Sequence, residues 1–133
     1  MTTKILNIVI ADDNRFLCEA LKDSLEVNKK IKVLKTVYSI KLLVEYINEH
    51  PFFDVLILDV NFNGQSSLNY IKNFQKTPFK IIALTTHNNS IIKSLAIENG
   101  VDLFIGKDTD YSKFGDTLLN FYFNRDNDFK ASK

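Results

Sequence analysis

The stretch that decides the fold reads ILNIVIADD, from Ile5 to Asp13. The run from Ile5 to Ala11 is nearly continuous in isoleucine, leucine and valine, which predicts a strand that is buried on both faces of a sheet. Two carboxylates, Asp12 and Asp13, follow it directly. Three later apolar runs also end on a polar residue that could do chemistry: Asp54 to Leu58 before Asp59, Lys80 to Leu84 before Thr85, and Leu103 to Gly106 before Lys107.

Helical patterns fill the intervals between the apolar runs. Ile31 to Val37 reads as a further strand, and its lysines, Lys32 and Lys35, place it at a sheet edge. Strands and helices that alternate in this way predict an α/β fold, a flavodoxin-like (βα)5 doubly wound parallel sheet with strand order 2-1-3-4-5. Apolar residues recur at helical spacing in segments that begin near Asp13 or Asn14, Ser39, Ser67, Ile91 and Tyr111.

Length and composition narrow the class of protein. A chain of 133 residues fits one domain, which we predict at 1–123, with 124–133 as a polar tail or the start of a linker. The net charge of +1 gives no reason to expect nucleic-acid or membrane binding. No apolar run is long enough to span a membrane. One cysteine, Cys18, excludes an intramolecular disulfide, and we expect a cytoplasmic protein.

The predicted strand order brings the polar strand endings together. Carboxyl ends of parallel strands meet at one sheet edge, and ligands bind there at the switch point. Three carboxylates in one crevice repel one another unless a cation joins them, and Mg²⁺ prefers oxygen ligands. We therefore predict that Asp12 and Asp13 hold Mg²⁺ while Asp59 accepts a phosphoryl group as an aspartyl-phosphate. Thr85 and Lys107 would contact that group.

Each of these residues also has a simpler interpretation when taken alone. Asp12 or Asp13 could cap a helix, Asp59 could begin a turn, and Lys107 could be solvated surface. Independent capping does not predict four matching strand endings, however. The conjunction therefore favours a shared site.

At these residues the chain resembles the receiver domain of two-component response regulators. The resemblance runs to about Phe123, and it is greatest to the subfamily that carries a C-terminal helix-turn-helix and regulates transcription. Such a chain would itself make no nucleic-acid contact. The matching segments are IVIADDN at 8–14, VLILD at 55–59, ALTTH at 83–87 and FIGKD at 104–108.

The resemblance implies a role for each metal and acceptor residue. Asp59 would take its phosphoryl group from a sensor histidine kinase or a histidine phosphotransfer protein. Asp13 would bind Mg²⁺ directly and Asp12 mainly through water. The backbone carbonyl of Asn61 would be a further metal ligand.

The resemblance also implies a conformational switch. Thr85 and Phe104 fall on the positions at which the family's hydroxyl and aromatic ring move on phosphorylation. The surface that changes would be the fourth predicted helix, the fifth strand and the fifth helix, within 88–123. A homodimer could form through the same surface.

The chain departs from the family pattern after the acceptor. Asn63 and Ser67 stand where the family usually has proline and glycine, and Thr86 stands where a smaller residue is common. Loss of the proline should loosen the loop, although Gly64 could restore a tight turn. The bulk of Thr86 could slow water attack or access of the phosphodonor.

Three rival functions follow from the same residues. A pseudo-receiver would keep the fold as an interaction module without phosphorylation, and the altered loop after Asp59 is its only support. An aspartyl-phosphate phosphatase would need an acid-base aspartate at Asn61, where an amide cannot transfer protons, so we do not expect an enzyme. In a flavodoxin, Asp12 and Asp13 would repel the flavin phosphate. A phosphoacceptor receiver domain therefore remains the leading hypothesis.

Overall fold

The computed structural model describes residues 4–62, 64–67, 70, 79–86, 90–108 and 110–123. Strands and helices alternate along these ranges, as the sequence predicts. The strands are β1 (Leu6–Ala11), β2 (Ile31–Val37), β3 (Val55–Asp59), β4 (Asn61–Phe62), β5 (Gln65–Ser66), β6 (Lys80–Thr85) and β7 (Leu103–Gly106). The described helices are α1 (Arg15–Glu26), α2 (Ile40–Glu49), α3 (Ser90–Glu98) and α4 (Phe114–Phe123), with a 3₁₀ turn at Tyr111–Lys113.

Five strands form a parallel sheet in the order β2-β1-β3-β6-β7. This order confirms the predicted one, because β6 and β7 are its fourth and fifth strands and β4 and β5 lie outside the sheet. β1 lies inside the sheet, with Leu6 opposite Ile31 on β2 and Ala11 opposite Leu58 on β3. All of β3 is buried. β3 is thus covered by its neighbours in the sheet and by apolar clusters on both faces.

Side chains of β1 point alternately to two apolar clusters, one on each face of the sheet. Val9 and Ala11 pack in the cluster that includes Leu43 of α2. Ile8 and Ile10 pack in the other cluster, against α1 and α4. A strand with both faces buried has little freedom to shift its register, so the residues after Ala11 have a fixed place at the sheet edge.

Side-chain caps fix where two helices begin. The Asn14 Oδ1 accepts a hydrogen bond from the Leu17 N–H at 3.1 Å, so Asn14 rather than Asp13 caps α1. Ser39 Oγ accepts from the Leu42 N–H at 3.2 Å, which confirms the predicted start of α2. The N-cap of α1 therefore lies two residues after the buried Asp12.

Two local features refine the sequence predictions. The segment from Asn61 to Ser66, where Gly64 was expected to allow a tight turn, is an antiparallel hairpin of β4 and β5, and Gly64 has a φ of 77°. The last helix does not begin at Tyr111, because a 3₁₀ turn precedes the α-helix that starts at Phe114.

Some predicted features lie outside the described residues. These are most of the helix predicted from Ser67 to Lys76, the side chains at Asn63 and His87, and the tail at 124–133. Within the described ranges, no helix has both the length and the apolar character that a membrane span requires.

Candidate functional site

Asp12 lies at the end of β1 with its side chain fully buried. Its Oδ1 accepts a hydrogen bond from the Asn14 N–H at 2.8 Å, and its Oδ2 lies 2.8 Å from Lys107 Nζ. The Sγ of Cys18 donates to the backbone oxygen of Asp12 at 3.4 Å. Both the carboxylate and the backbone of Asp12 are therefore held in place.

Asp59 ends β3, and only 2% of its surface is exposed. Its Oδ1 accepts from the Asn61 N–H at 3.1 Å and lies 3.1 Å from Lys107 Nζ. Among the residues that the structure describes, its buried Oδ2 has no hydrogen-bond partner. A buried charged oxygen without a donor is costly, so a cation or phosphoryl group would find an available oxygen here.

The three aspartates form one cluster at the sheet edge. One carboxylate oxygen from each of Asp12, Asp13 and Asp59 lies within 4.8 Å of the other two. Asp13 is exposed, whereas the other two are buried. The cluster is open to solvent on the side of Asp13 and offers oxygen ligands of the kind that Mg²⁺ prefers.

Lys107 connects the two buried carboxylates. Its backbone N–H donates to the Thr85 oxygen at 2.7 Å, and its carbonyl oxygen accepts from the Tyr111 hydroxyl at 2.8 Å. The backbone is thus held on both sides while the ammonium contacts Asp12 and Asp59. One ammonium among three carboxylates leaves an excess of negative charge in the cluster.

Burial and the neighbouring charges together shift the pKa values of Asp59 and Lys107. Burial, and then the nearby Asp12 carboxylate, raise the pKa of Asp59 from 3.8 to about 6, although Lys107 opposes the shift. Burial works to lower the pKa of Lys107, but the hydrogen bond and charge of Asp12 and Asp59 outweigh it and raise that pKa. Lys107 therefore stays protonated at neutral pH.

The other predicted residues lie around this cluster. Thr85 is buried at the end of β6, one sheet position from the backbone of Lys107. Asn61 begins β4 with an exposed side chain, and Thr86 is also exposed. Phe104 is partly buried on β7 and packs against the same apolar cluster as α2. The structure thus brings the strand-end residues together, with Phe104 further along the sheet.

Three neighbours of the cluster were not predicted to act on it. Cys18 was considered only as a lone cysteine that excludes an intramolecular disulfide, and Tyr111 only as the start of a helix. Ser67 was considered as a departure from glycine near the start of a helix, whereas its hydroxyl contacts the backbone carbonyls of Asp59 and Val60. The signal available for Ser67 was a hydroxyl at a position where the family usually has glycine.

A parallel α/β sheet with an acidic cluster at its switch point is the architecture of a receiver-type protein. The comparison with protein families makes this assignment specific: the chain belongs to the family of response regulator receiver domains, whose model matches residues 8–118.

Known proteins similar to this chain differ in what accompanies the receiver. A protein-glutamate methylesterase/protein-glutamine glutaminase of Caldanaerobacter subterraneus is 29% identical over 78% of this chain, which spans only 29% of that relative's length. A DNA-binding response regulator of the LuxR family from Staphylococcus aureus has a TM-score of 0.78 at 21% identity, covering 87% of this chain and 98% of that one.

A third similar protein was solved with a phosphoryl mimic. It is the isolated receiver domain of RcsB from Salmonella enterica serovar Typhimurium in the presence of phosphomimetic BeF₃⁻. Its TM-score is 0.79 at 22% identity, and the match covers 89% of this chain and 88% of that one. At this level of identity the solved structures establish the shared fold.

Proposed function

We propose that this receiver domain is a phosphorylation-controlled switch, in which Asp59 accepts a phosphoryl group in a Mg²⁺-dependent reaction. The observation that carries the proposal is the buried, unpartnered Oδ2 of Asp59, next to the carboxylates of Asp12 and Asp13. Lys107 Nζ contacts the other oxygen of Asp59 at 3.1 Å. A nucleophilic oxygen, oxygen ligands for a metal and a fixed cation thus lie side by side.

The metal ligands in this proposal are Asp12, Asp13, Asp59 and the backbone carbonyl of Asn61. The available Asp59 oxygen and the negative excess of the cluster fit a hard divalent cation. When bound, Mg²⁺ would neutralise part of the charge on the phosphoryl group during transfer. By resemblance to the family, Asp13 would contact the metal directly and Asp12 mainly through water.

Besides Mg²⁺, the chemical step needs only groups that the chain and its phosphodonor would provide. An oxygen of the Asp59 carboxylate attacks phosphorus of a phosphohistidine on a sensor kinase or phosphotransfer protein. The new O–P bond forms as the N–P bond breaks, and the electron pair leaves with the imidazole. The Lys107 ammonium offsets the negative charge on the phosphoryl oxygens, and the Thr85 hydroxyl donates a hydrogen bond to one of them. The domain turns over no small-molecule substrate in this reading.

The phosphorylated site would act on a distant surface through Thr85 and Phe104. Thr85 ends β6 beside the acceptor, and Phe104 lies on the neighbouring strand β7. The surface they would change comprises α3, β7 and α4, where Leu95 is 45% and Ile97 is 55% exposed. Exposed apolar side chains of this kind are suited to a homodimer or an output partner.

The similar proteins support this proposal in different ways. The RcsB receiver was solved with a phosphoryl mimic, which supports an acceptor role for the shared fold. The Staphylococcus aureus regulator is described as DNA-binding, which supports control of transcription as the output, whereas the Caldanaerobacter relative is a methylesterase. A phosphoacceptor switch in this chain is compatible with either kind of output.

Intact-mass measurement with acetyl phosphate tests the acceptor. We expect the native chain to gain one phosphoryl mass with Mg²⁺ present and to lose that gain with EDTA. Asp59→Asn should gain nothing, while the matched control Asp23→Asn, an exposed aspartate on α1, should behave as the native chain. A native chain that binds no Mg²⁺ and gains no mass would instead be a pseudo-receiver. Phosphorylation of Asp59→Asn would show that the acceptor is a residue other than Asp59.

A further inference from the structure

The Ser67 hydroxyl lies inside the backbone of the acceptor loop. Ser67 is 1% exposed, and its Oγ donates to the carbonyl oxygen of Asp59 at 2.5 Å and approaches that of Val60 at 3.2 Å. Its backbone N–H also donates to the Val60 oxygen at 2.8 Å. The Ser67 side chain therefore contacts the carbonyl groups of both Asp59 and Val60.

The two peptide groups between Asp59 and Asn61 are consequently held at both ends. The first has its carbonyl on Ser67 Oγ and its N–H, from Val60, on the Leu84 oxygen at 2.8 Å. The second has its carbonyl on Ser67 and its N–H, from Asn61, on the Asp59 carboxylate at 3.1 Å. These peptide planes determine the direction of the Asp59 side chain and of the backbone at Asn61.

Ser67 is itself well anchored. The hairpin of β4 and β5 returns the chain so that Ser67 faces Val60, and fully buried Phe62 fixes the hairpin to the core. The Ser67 carbonyl accepts from the Tyr70 N–H at 2.9 Å. The hydroxyl therefore acts from a rigid support, which a positioning group requires.

We propose that Ser67 is a positioning residue for the metal and acceptor site, an inference that rests on the proposed function. Its hydroxyl holds the backbone that leads into Asn61, whose carbonyl would be a metal ligand, and keeps Asp59 Oδ1 on the Asn61 N–H, so that Oδ2 stays available. Groups that orient metal ligands commonly change metal affinity by tenfold or more when removed. Ser67 touches neither metal nor phosphoryl group and acts through the backbone.

The test compares Ser67→Ala with a control that loses a hydroxyl elsewhere. Ser39→Ala removes the cap of α2, a hydrogen bond of similar kind away from the cluster. We expect Ser67→Ala to weaken Mg²⁺ binding about tenfold by calorimetry. Its Asn61 amide should also exchange hydrogen faster without metal. Ser39→Ala should lower thermal stability but leave both measurements unchanged.

A third variant keeps the inference testable if Ser67→Ala folds poorly. Ser67→Cys keeps the shape with a weaker donor, and its Mg²⁺ affinity should lie between those of the native chain and the alanine variant. Unchanged Mg²⁺ affinity in both Ser67 variants would overturn the inference while the proposed function stood. If Ser39→Ala weakened Mg²⁺ binding as much as Ser67→Ala, the loss would reflect a general decrease in stability, and the inference would be wrong. A native chain that binds no Mg²⁺ would overturn the proposed function as well.

Discussion

Replacing the buried Asp59 by asparagine, its neutral isostere, should stabilise the metal-free protein. The pKa of Asp59 is raised from 3.8 to about 6, mainly by burial and then by the charge of Asp12. At about 1.4 kcal/mol for each pH unit, the charged form costs roughly 3 kcal/mol of unfolding free energy at neutral pH. Asp59→Asn removes this cost, and Lys107 keeps its contact with Asp12 at 2.8 Å.

The pH dependence gives the prediction its sign. A raised carboxyl pKa means that the unfolded chain loses its proton first, so stability falls as pH rises from about 4 to about 6. Below pH 3.8 both states are protonated and the penalty is absent. The advantage of Asp59→Asn should therefore be small near pH 4 and complete, at up to about 3 kcal/mol, above pH 6.

Urea unfolding of the native chain, Asp59→Asn and the exposed control Asp23→Asn, from pH 4.5 to 8 in EDTA, measures this difference. Saturating Mg²⁺ should stabilise the native chain more than Asp59→Asn and so narrow the gap, because the cation offsets the same repulsion. An Asp59→Asn variant that is less stable than the native chain at pH 7.5 would contradict this prediction. So would a stability difference in favour of Asp59→Asn that increases toward acid pH.

Three further predictions concern the surroundings of the site. Lys107→Met should lower stability by about 3 kcal/mol in urea unfolding without metal, because Asp12 and Asp59 would stay buried without the Lys107 ammonium. A loss below about 1 kcal/mol would contradict this prediction. Burial, with the Asp12 charge, raises the pKa of Cys18 to about 12, so iodoacetamide at pH 8 should label only the unfolded chain, as intact mass would reveal. Gly64→Ala should lower thermal stability by about 1 kcal/mol through its φ of 77° alone, since an added Cβ would meet no atom within 4 Å; Gly64→Asn should cost less, and equal losses would point to contacts instead.

Much of this fold could be predicted from the sequence because its sheet is buried on both faces. Nearly continuous apolar runs such as Ile5 to Ala11 are typical of strands inside a covered parallel sheet, and the helical segments between them supply the cover. Strand order then followed from general rules of α/β topology, and it placed Asp12, Asp59 and Lys107 at one edge. Cap chemistry likewise predicted Ser39 at the start of α2.

Local chemistry was harder to predict where two neighbours had the same capacity. Asp13 and Asn14 both have side chains that cap helices, and only the course of the backbone after β1 decides that Asn14 does so. The hairpin after Asp59 was predicted only as a turn, because its two strands are too short to carry an alternating pattern.

The order of apolar and polar residues was enough to predict the class of fold and the side chains that end the strands, because it reflects which faces of each element are buried. The pairing of those side chains depends on the packed structure. Lys107 contacts both Asp12 and Asp59, one oxygen of Asp59 lacks a partner among the described residues, and the Ser67 hydroxyl binds the backbone carbonyl of Asp59. These contacts depend on distances between segments far apart in the chain, which are fixed only when the strands and the hairpin pack together.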